Sequence, residues 1–190
     1  MINLNIMLVG VGGQGTLLAS RILGNVGLQD NNDVKVSEVH GMSQRGGSVV
    51  TYVKIGAKIY SPLIEKYEAD IIIAFEQLEA MRWIGYLREN GKMIINTQKI
   101  DPMPVITGKM NYPDNIIKQI KNIYSNTVAV DALGIAKECG NIKSVNMVLL
   151  GCMAASVNVD KSIWINSMRD IIPDKYIDVN IKAFEAGYSL

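Results

Sequence analysis

Histidine and cysteine are both scarce in this sequence of 190 residues, which has one histidine, His40, and two cysteines, Cys139 and Cys152. A cysteine-ligated iron–sulfur cluster needs about four thiolates, and a structural zinc site needs a comparable set of Cys and His ligands. We therefore expect this chain to hold no metal. Two unpaired thiols fit a reducing compartment, which predicts a cytoplasmic protein.

Charge and long apolar runs are limited as well. Charged residues make up 19% of the chain and the net charge is +1, without the clustered Lys and Arg of a nucleic-acid surface. The longest apolar stretch, 145–159, contains Asn146, Ser156 and Asn158 and is short for a membrane span. The first residues lack the positive segment of a secretory signal. We expect neither a nucleic-acid partner nor a membrane, whereas 48% apolar residues suffice for a core.

Short apolar stretches alternate with segments of helical period along most of the chain. We predict strands at 4–9, 34–39, 48–55, 70–75, 92–96 and 127–130. We predict helices from Gly15 to a stop at Gly27, and at 77–87, 114–124, 131–139, 145–159 and 174–188, with Asp160 and Asp174 as N-caps. A proline-containing stretch at 101–105 is predicted to be irregular.

This alternation is typical of a three-layer, Rossmann-like α/β domain with a mostly parallel sheet. The segment 48–60 breaks the alternation and predicts added antiparallel strands, with a hairpin turn at Gly56 and Ala57. The length suits a single domain over residues 1–190.

The sequence GVGGQG at 10–15 matches G-x-G-x-x-G between a predicted strand and a predicted helix. Glycine permits a sharp turn, and N–H groups at the start of a helix attract an anion. We therefore predict a binding role for Gly10, Gly12, Gly13, Gln14 and Gly15. Glu38 stands where a nicotinamide site would need an acid, although the bulky polar segment after it argues against a dinucleotide. The glycines also have a purely structural explanation, because so tight a turn between a strand and a helix requires glycine even if no ligand binds.

The sequence HGMSQRGG at 40–47 gathers further polar groups. Arg45 can form a forked contact with a carboxylate or phosphate, or a salt bridge that holds the loop. A general-base role for His40 lacks an orienting carboxylate within its own motif, and a hydrogen bond to loop backbone is favoured instead. We predict a binding surface and no catalytic residue, with the binding groups at His40, Ser43, Gln44, Arg45, Gly46 and Gly47. Glu76 and Glu79, after the predicted strand 70–75, are read as a site or as a charged first helical turn.

Four segments in order, at 10–24, 37–49, 61–82 and 145–151, resemble the gamma, or catalytic-domain III, subunits of 2-oxoacid:ferredoxin oxidoreductases. The small beta subunits of indolepyruvate ferredoxin oxidoreductases are the nearest in sequence. The segment around HGMSQRGG is the most specific part, and the likeness extends over nearly the whole chain.

The resemblance implies oxidative decarboxylation of a 2-oxo acid, indolepyruvate or another aryl pyruvate, to an acyl-CoA. It implies thiamine diphosphate and 4Fe-4S clusters in a large partner subunit, coenzyme A as co-substrate, and ferredoxin as electron acceptor of the complex. This chain has neither four cysteines nor a thiamine diphosphate motif. It is therefore expected to bind no cofactor alone, to be inactive in isolation, and to cover the partner's site and help to bind coenzyme A. Two other readings stand beside this one: a stand-alone nucleotide-binding Rossmann oxidoreductase, and a non-catalytic interaction subunit.

Overall fold

The computed structural model describes residues 2–41 and 47–190. Its six strands form one sheet in the order β2-β3-β1-β4-β5-β6. Their bounds are β1 Leu4–Val11, β2 Asp33–His40, β3 Ser48–Gly56, β4 Ala69–Ala74, β5 Leu87–Asn96 and β6 Thr127–Val130.

The sheet is parallel from β1 through β4 and β5 to β6, and antiparallel where β3 pairs with β1 and with β2. The predicted mixed sheet with added antiparallel strands is therefore confirmed. Strands that flank one helix, as β1 and β2 flank the helix at Thr16–Gln29, commonly pair in parallel. Instead β3 lies between them, so β1 and β2 run in the same direction without touching and both end at the same edge of the sheet.

The described residues include eight α-helices, and short 3-10 turns at Ile84–Tyr86 and Ile142–Ser144 precede β5 and α6. The helices are α1 Thr16–Gln29, α2 Gln77–Trp83, α3 Met103–Ile106, α4 Ile116–Ile123, α5 Ala132–Cys139, α6 Val145–Ala154, α7 Lys161–Ile171 and α8 Asp174–Tyr188. Among the described helices, none combines the length and apolar composition that crossing a membrane requires.

Alternation along the strands produces two separate cores, one on each face of the sheet. Ile6 and Leu8 of β1 pack on one face with residues of α1, α5, α6, α7 and α8. Met7 and Val9 of the same strand pack on the other face with residues of α2 and α4. This is the predicted three-layer arrangement. Because α1 and α2 lie on opposite faces, the chain changes face between β1 and β4, and the crevice at their carboxyl ends is the usual ligand position in such folds.

Several predicted boundaries are wrong, each for a local reason. β3 ends at Gly56 and no hairpin follows, since residues 57–68 form no strand. α1 continues past Gly27, whose missing Cβ makes room for Val34 and Ile55.

Helix ends show similar differences. Asp160 caps α7 as predicted, but Pro173 holds the N-cap position of α8 and Asp174 lies inside the helix. A short helix, α3, occupies the proline-containing stretch, because proline is tolerated in a first helical turn. The predicted helix 145–159 ends at Ala154.

Candidate functional site

The glycine turn joins β1 to α1 at the carboxyl edge of the sheet. Gly13 and Gly15 have φ values of 101° and 83°, in the left-handed region that glycine adopts without a steric penalty. Gly15 is also the N-cap residue of α1, and its carbonyl accepts the first helical hydrogen bond, from Ala19 N at 3.1 Å. The predicted strand–turn–helix setting of this motif is therefore present, and two of its glycines are required by backbone conformation alone.

Gln14 directs its amide group into the protein. Its Oε1 accepts a hydrogen bond from Val11 N at 2.8 Å, and its Nε2 donates to Phe75 O at 2.9 Å. The side chain therefore bridges the ends of β1 and β4, where the chain changes face. Gly10 lies inside β1, and a Cβ there would come within 2.9 Å of both Gln14 Oε1 and Phe75 Cβ. Both residues, predicted as ligand contacts, are engaged in closing this crevice.

Gln14→Ala is expected to lower the free energy of unfolding by about 1–3 kcal/mol, because Val11 N loses its side-chain acceptor and Phe75 O keeps only the hydrogen bond from Asn96 Nδ2. Urea denaturation of the purified chain measures the change. Gln29→Ala is the matched control, since its amide bonds exposed groups of Asn25 and Asp170. Equal losses for the two variants would contradict a clamping role for Gln14.

Backbone N–H groups beside the turn are available to a ligand. Gly12 N donates to Gly47 O at 2.9 Å, which ties the turn to the residue before β3. Within the described part of the chain, no acceptor satisfies the N–H groups of Thr16, Leu17 and Leu18 in the first turn of α1. Unpaired N–H groups at a helix N-terminus carry partial positive charge and suit an anion.

Two clefts open on either side of the glycine turn. The first, here the strand-side cleft, has a volume of about 520 Å³ and lies toward β2. Its described lining residues are Gly12, Gly13, Gly15, Thr16, Leu17, Glu38, His40 and Val49.

The second cleft, here the helix-side cleft, measures about 530 Å³ and lies toward α5 and α6. Gln98 and Lys143 supply polar groups to its wall, and Leu133 and Ile142 supply apolar ones. Asn146 Nδ2 donates to Gly15 O at 3.2 Å, so the start of α6 is fastened to the glycine turn. In the sequence, Asn146 stands out only as an interruption of an apolar stretch. A polar residue at the start of an otherwise buried helix was the signal that could have identified it.

His40 lies at the exposed end of β2. Its Nδ1 is 3.3 Å from Gly41 O, which agrees with the predicted backbone contact. Glu38 lines the same cleft, and its carboxylate accepts from Thr51 Oγ1 at 3.2 Å. The predicted groups Ser43, Gln44, Arg45 and Gly46 lie outside the described residues, between Gly41 and Gly47.

Glu76 and Glu79 are buried behind this edge, with exposures of 1% and 4%. Glu76 is the N-cap of α2: its carboxylate accepts from Glu79 N at 3.0 Å, from Ile100 N at 3.2 Å and from the Tyr112 hydroxyl. Because each oxygen is occupied, Glu76 organises the edge and is not free for a ligand. Of the two readings of the sequence, the charged first helical turn is the nearer one, although Glu76 stands at the N-cap and only Glu79 lies inside the helix.

Glu79 connects α2 to the start of β3. Its carboxylate accepts from the Ser48 hydroxyl and pairs with Arg82 Nε at 3.1 Å. Burial raises the pKa of this carboxyl above its ordinary value, while the Ser48 hydrogen bond and the Arg82 charge act in the opposite direction. Glu79 therefore holds the residue that follows Gly47, and thereby anchors one end of the 40–47 segment.

A doubly wound α/β sheet with a glycine turn and an anion-receptive helix start at its carboxyl edge defines a Rossmann-like domain. The chain belongs to the pyruvate ferredoxin/flavodoxin oxidoreductase family, whose pattern matches residues 5–190. It is 39% identical to indolepyruvate oxidoreductase subunit IorB of Thermococcus kodakarensis, over 96% of this chain and 93% of that one. It is also 39% identical to subunit IorB of Methanothermobacter thermautotrophicus, over 98% and 96% of the two chains. The family resemblance of the sequence is confirmed.

Solved structures share the fold. The gamma subunit of a keto/oxoacid ferredoxin oxidoreductase from Geobacter sulfurreducens superimposes with a TM-score of 0.73 at 24% identity, over 98% of this chain and 96% of that one. A 2-oxoglutarate:ferredoxin oxidoreductase from Magnetococcus marinus gives 0.76 at 18% identity, and there this chain matches 31% of a longer polypeptide. The fold thus occurs both in a chain of similar length and within a longer polypeptide.

Proposed function

We propose that this chain is the small subunit of a 2-oxoacid:ferredoxin oxidoreductase whose 2-oxo acid is indolepyruvate or another aryl pyruvate. The observation that carries the proposal is the 39% identity to subunit IorB over 96% of the chain. The complex would convert the 2-oxo acid to an acyl-CoA and pass the electrons to ferredoxin. The proposal of an aryl pyruvate as substrate rests on this sequence relationship, because no described residue of the chain is assigned to the aryl group.

The chemistry is assigned to a large partner subunit. Thiamine diphosphate and 4Fe-4S clusters bound there would supply decarboxylation and electron transfer. The described residues of this chain do not fit a cluster: no three His, Cys, Asp or Glu side chains among them converge. Burial raises the pKa of the Cys152 thiol to about 11, so it stays protonated near neutrality. A chain of this kind acts by docking on the partner and covering its site.

Coenzyme A is assigned to the carboxyl edge of the sheet. Its phosphates require N–H donors and cations, and the first turn of α1 offers N–H groups between the two clefts. Gly12, Gly13 and Gly15 would leave space for this contact. His40, Ser43, Gln44, Arg45, Gly46 and Gly47 are proposed to complete the surface, either toward coenzyme A or toward the partner.

Gln14 disfavours a stand-alone nucleotide-binding oxidoreductase. A dinucleotide in such an enzyme lies in the crevice where the chain changes face, and here the Gln14 amide spans that crevice from Val11 N to Phe75 O. The remaining alternative is an interaction subunit without a ligand. Such a subunit would also dock on the partner, but it would not bind coenzyme A.

Reconstitution with the large subunit from the same source tests the proposal. The isolated chain is expected to be colourless and inactive, whereas the complex should reduce ferredoxin or viologen with indolepyruvate and coenzyme A. Turnover by the isolated chain would contradict the division of labour, and an inactive complex with all 2-oxo acids would contradict the function.

Arg45→Ala in the same complex examines the 40–47 segment. A lost charge-assisted contact is worth about 1.5–3 kcal/mol, so the KM for coenzyme A or the Kd between subunits should rise at least about tenfold. Arg169→Ala, at an exposed position in the last turn of α7, is the charge-matched control. If the two variants behave alike in KM, kcat and subunit affinity, the segment has a structural role only.

A further inference from the structure

A second polar cleft lies at the amino edge of the sheet, opposite the glycine turn. This amino-edge cleft has a volume of about 500 Å³ and is formed where β1, β4 and β5 begin and where the chain leaves α6. The side chains that matter for its chemistry are Asp70, Arg88, Lys92, Asn126, Ser156 and Asn158. Nothing in the proposed function uses these residues.

Arg88 is held in place by a carboxylate that is itself fixed. Asp70 Oδ1 pairs with Arg88 Nε at 2.8 Å, and Asp70 Oδ2 accepts from Asn5 N at 2.6 Å. The Asp70 side chain is only 17% exposed. Because Asp70 engages Nε, the two terminal nitrogens of the guanidinium are left for another acceptor. A guanidinium oriented in this way binds carboxylate or phosphate with little loss of side-chain freedom.

Lys92 contributes the second cation. It is half-buried in β5, and its Nζ donates to Ser156 Oγ at 2.6 Å, while Ser156 Oγ donates to Cys152 O at 3.0 Å. Within residues 2–41 and 47–190, no carboxylate forms an ion pair with Lys92. One ammonium charge in the cleft is therefore unbalanced, since the Asp70 charge is matched by Arg88. The contact of Lys92 Nζ is exposed, so the ammonium is within reach of a dissolved anion, and a charge-assisted hydrogen bond to that anion is stronger than a neutral one.

We propose that the amino-edge cleft binds a small oxyanion, the carboxylate or phosphate group of a free small molecule. Arg88 and Lys92 supply the charge, and the amides of Asn126 and Asn158 supply neutral hydrogen-bonding groups on the same wall. The cleft lies at the edge of the sheet opposite Gly12, Gly13 and Gly15, so it shares no lining residue with the surface proposed for coenzyme A.

Lys92 also contributes to stability, and this contribution must be distinguished from its proposed role in anion binding. Its contact to Ser156 places an ammonium group near the last turn of α6, where cations stabilise a helix end. If that were its whole role, loss of the charge would lower stability and no anion would bind. Binding and stability must therefore be measured side by side.

Inorganic phosphate and malonate, titrated into the isotope-labelled full chain at constant ionic strength, test the proposal. Backbone amide shifts are expected to saturate at residues 70–71, 88–92 and 156–158. Lys92→Met and Arg88→Gln should each weaken binding at least about tenfold, the loss expected for a charged hydrogen-bonding partner. Lys161→Met removes the same charge from an exposed pair with Glu185 and should leave affinity within about twofold.

Three results would overturn the proposal: no saturable shifts with either anion, shifts confined to the glycine turn, or unchanged affinity in folded Lys92→Met. Chemical denaturation of each variant establishes that it is folded under the titration conditions. None of these results bears on reconstituted turnover, so the proposed function stands or falls separately.

Discussion

Gly15→Ala is expected to lower the free energy of unfolding by about 2–5 kcal/mol and to weaken assembly of the active complex. The left-handed conformation, at φ 83°, costs an L-residue roughly 1–2 kcal/mol. A Cβ would also lie 2.7 Å from Asn146 Nδ2, which donates to Gly15 O. Asn146 must then move within a buried setting, and overpacking typically adds about 1–3 kcal/mol.

Gly13→Ala is the matched control for this effect. Its φ of 101° imposes backbone strain, but a Cβ at Gly13 would meet no atom within 4 Å. Backbone conformation alone therefore accounts for the harm expected from a side chain at Gly13. Urea denaturation of both variants measures the difference. If Gly15→Ala costs no more than Gly13→Ala, the contact with Asn146 contributes nothing to stability.

The fold was largely predictable because strands and helices leave different periodicities in the sequence. The apolar stretch 71–74 of β4 indicates a strand covered on both faces, and the glycine turn indicates a strand followed by a helix. Strand order was not predictable. Placement of β3 between β1 and β2 depends on pairing between residues distant in sequence, such as Val9 with Val50, which no local pattern encodes.

The candidate site was predictable in position but less so in detail. Polar residues after strand ends predicted that the glycine turn and the 40–47 segment follow strands that end at one edge, and β1 and β2 do end at the same edge of the sheet. The direction of the side chains was not available, so Gln14 was read as a ligand contact although its amide bonds Val11 and Phe75. Glu79 and Ser48 were not connected, because they belong to α2 and β3 and meet only in the folded chain.

Helices α6 and α8 support the site from behind, through a close crossing at two glycines. A Cβ at Gly187 would overlap Val148 O, and a Cβ at Gly151 would overlap Phe184 O. The backbones of the two helices are therefore in direct contact, which only glycine permits. Asn146, which fastens the glycine turn, lies two residues before Val148 on α6. The packing of α6 against α8 thus determines the position of Asn146 relative to Gly15.

Gly187→Ala is therefore expected to cost about 3 kcal/mol or more, since a backbone oxygen cannot move aside as a side chain can. Gly24→Ala in α1 is the matched control, because its Cβ would meet its nearest neighbours at 3.8 and 4.0 Å. There the same substitution should raise stability by up to about 1 kcal/mol, the difference in helix propensity between the two residues. Urea denaturation of both variants measures the two changes in the free energy of unfolding, which should have opposite signs. Equal changes would contradict the direct backbone contact between α6 and α8. Because α6 carries Asn146, Gly187→Ala should also reduce affinity for the large subunit, whereas Gly24→Ala should not.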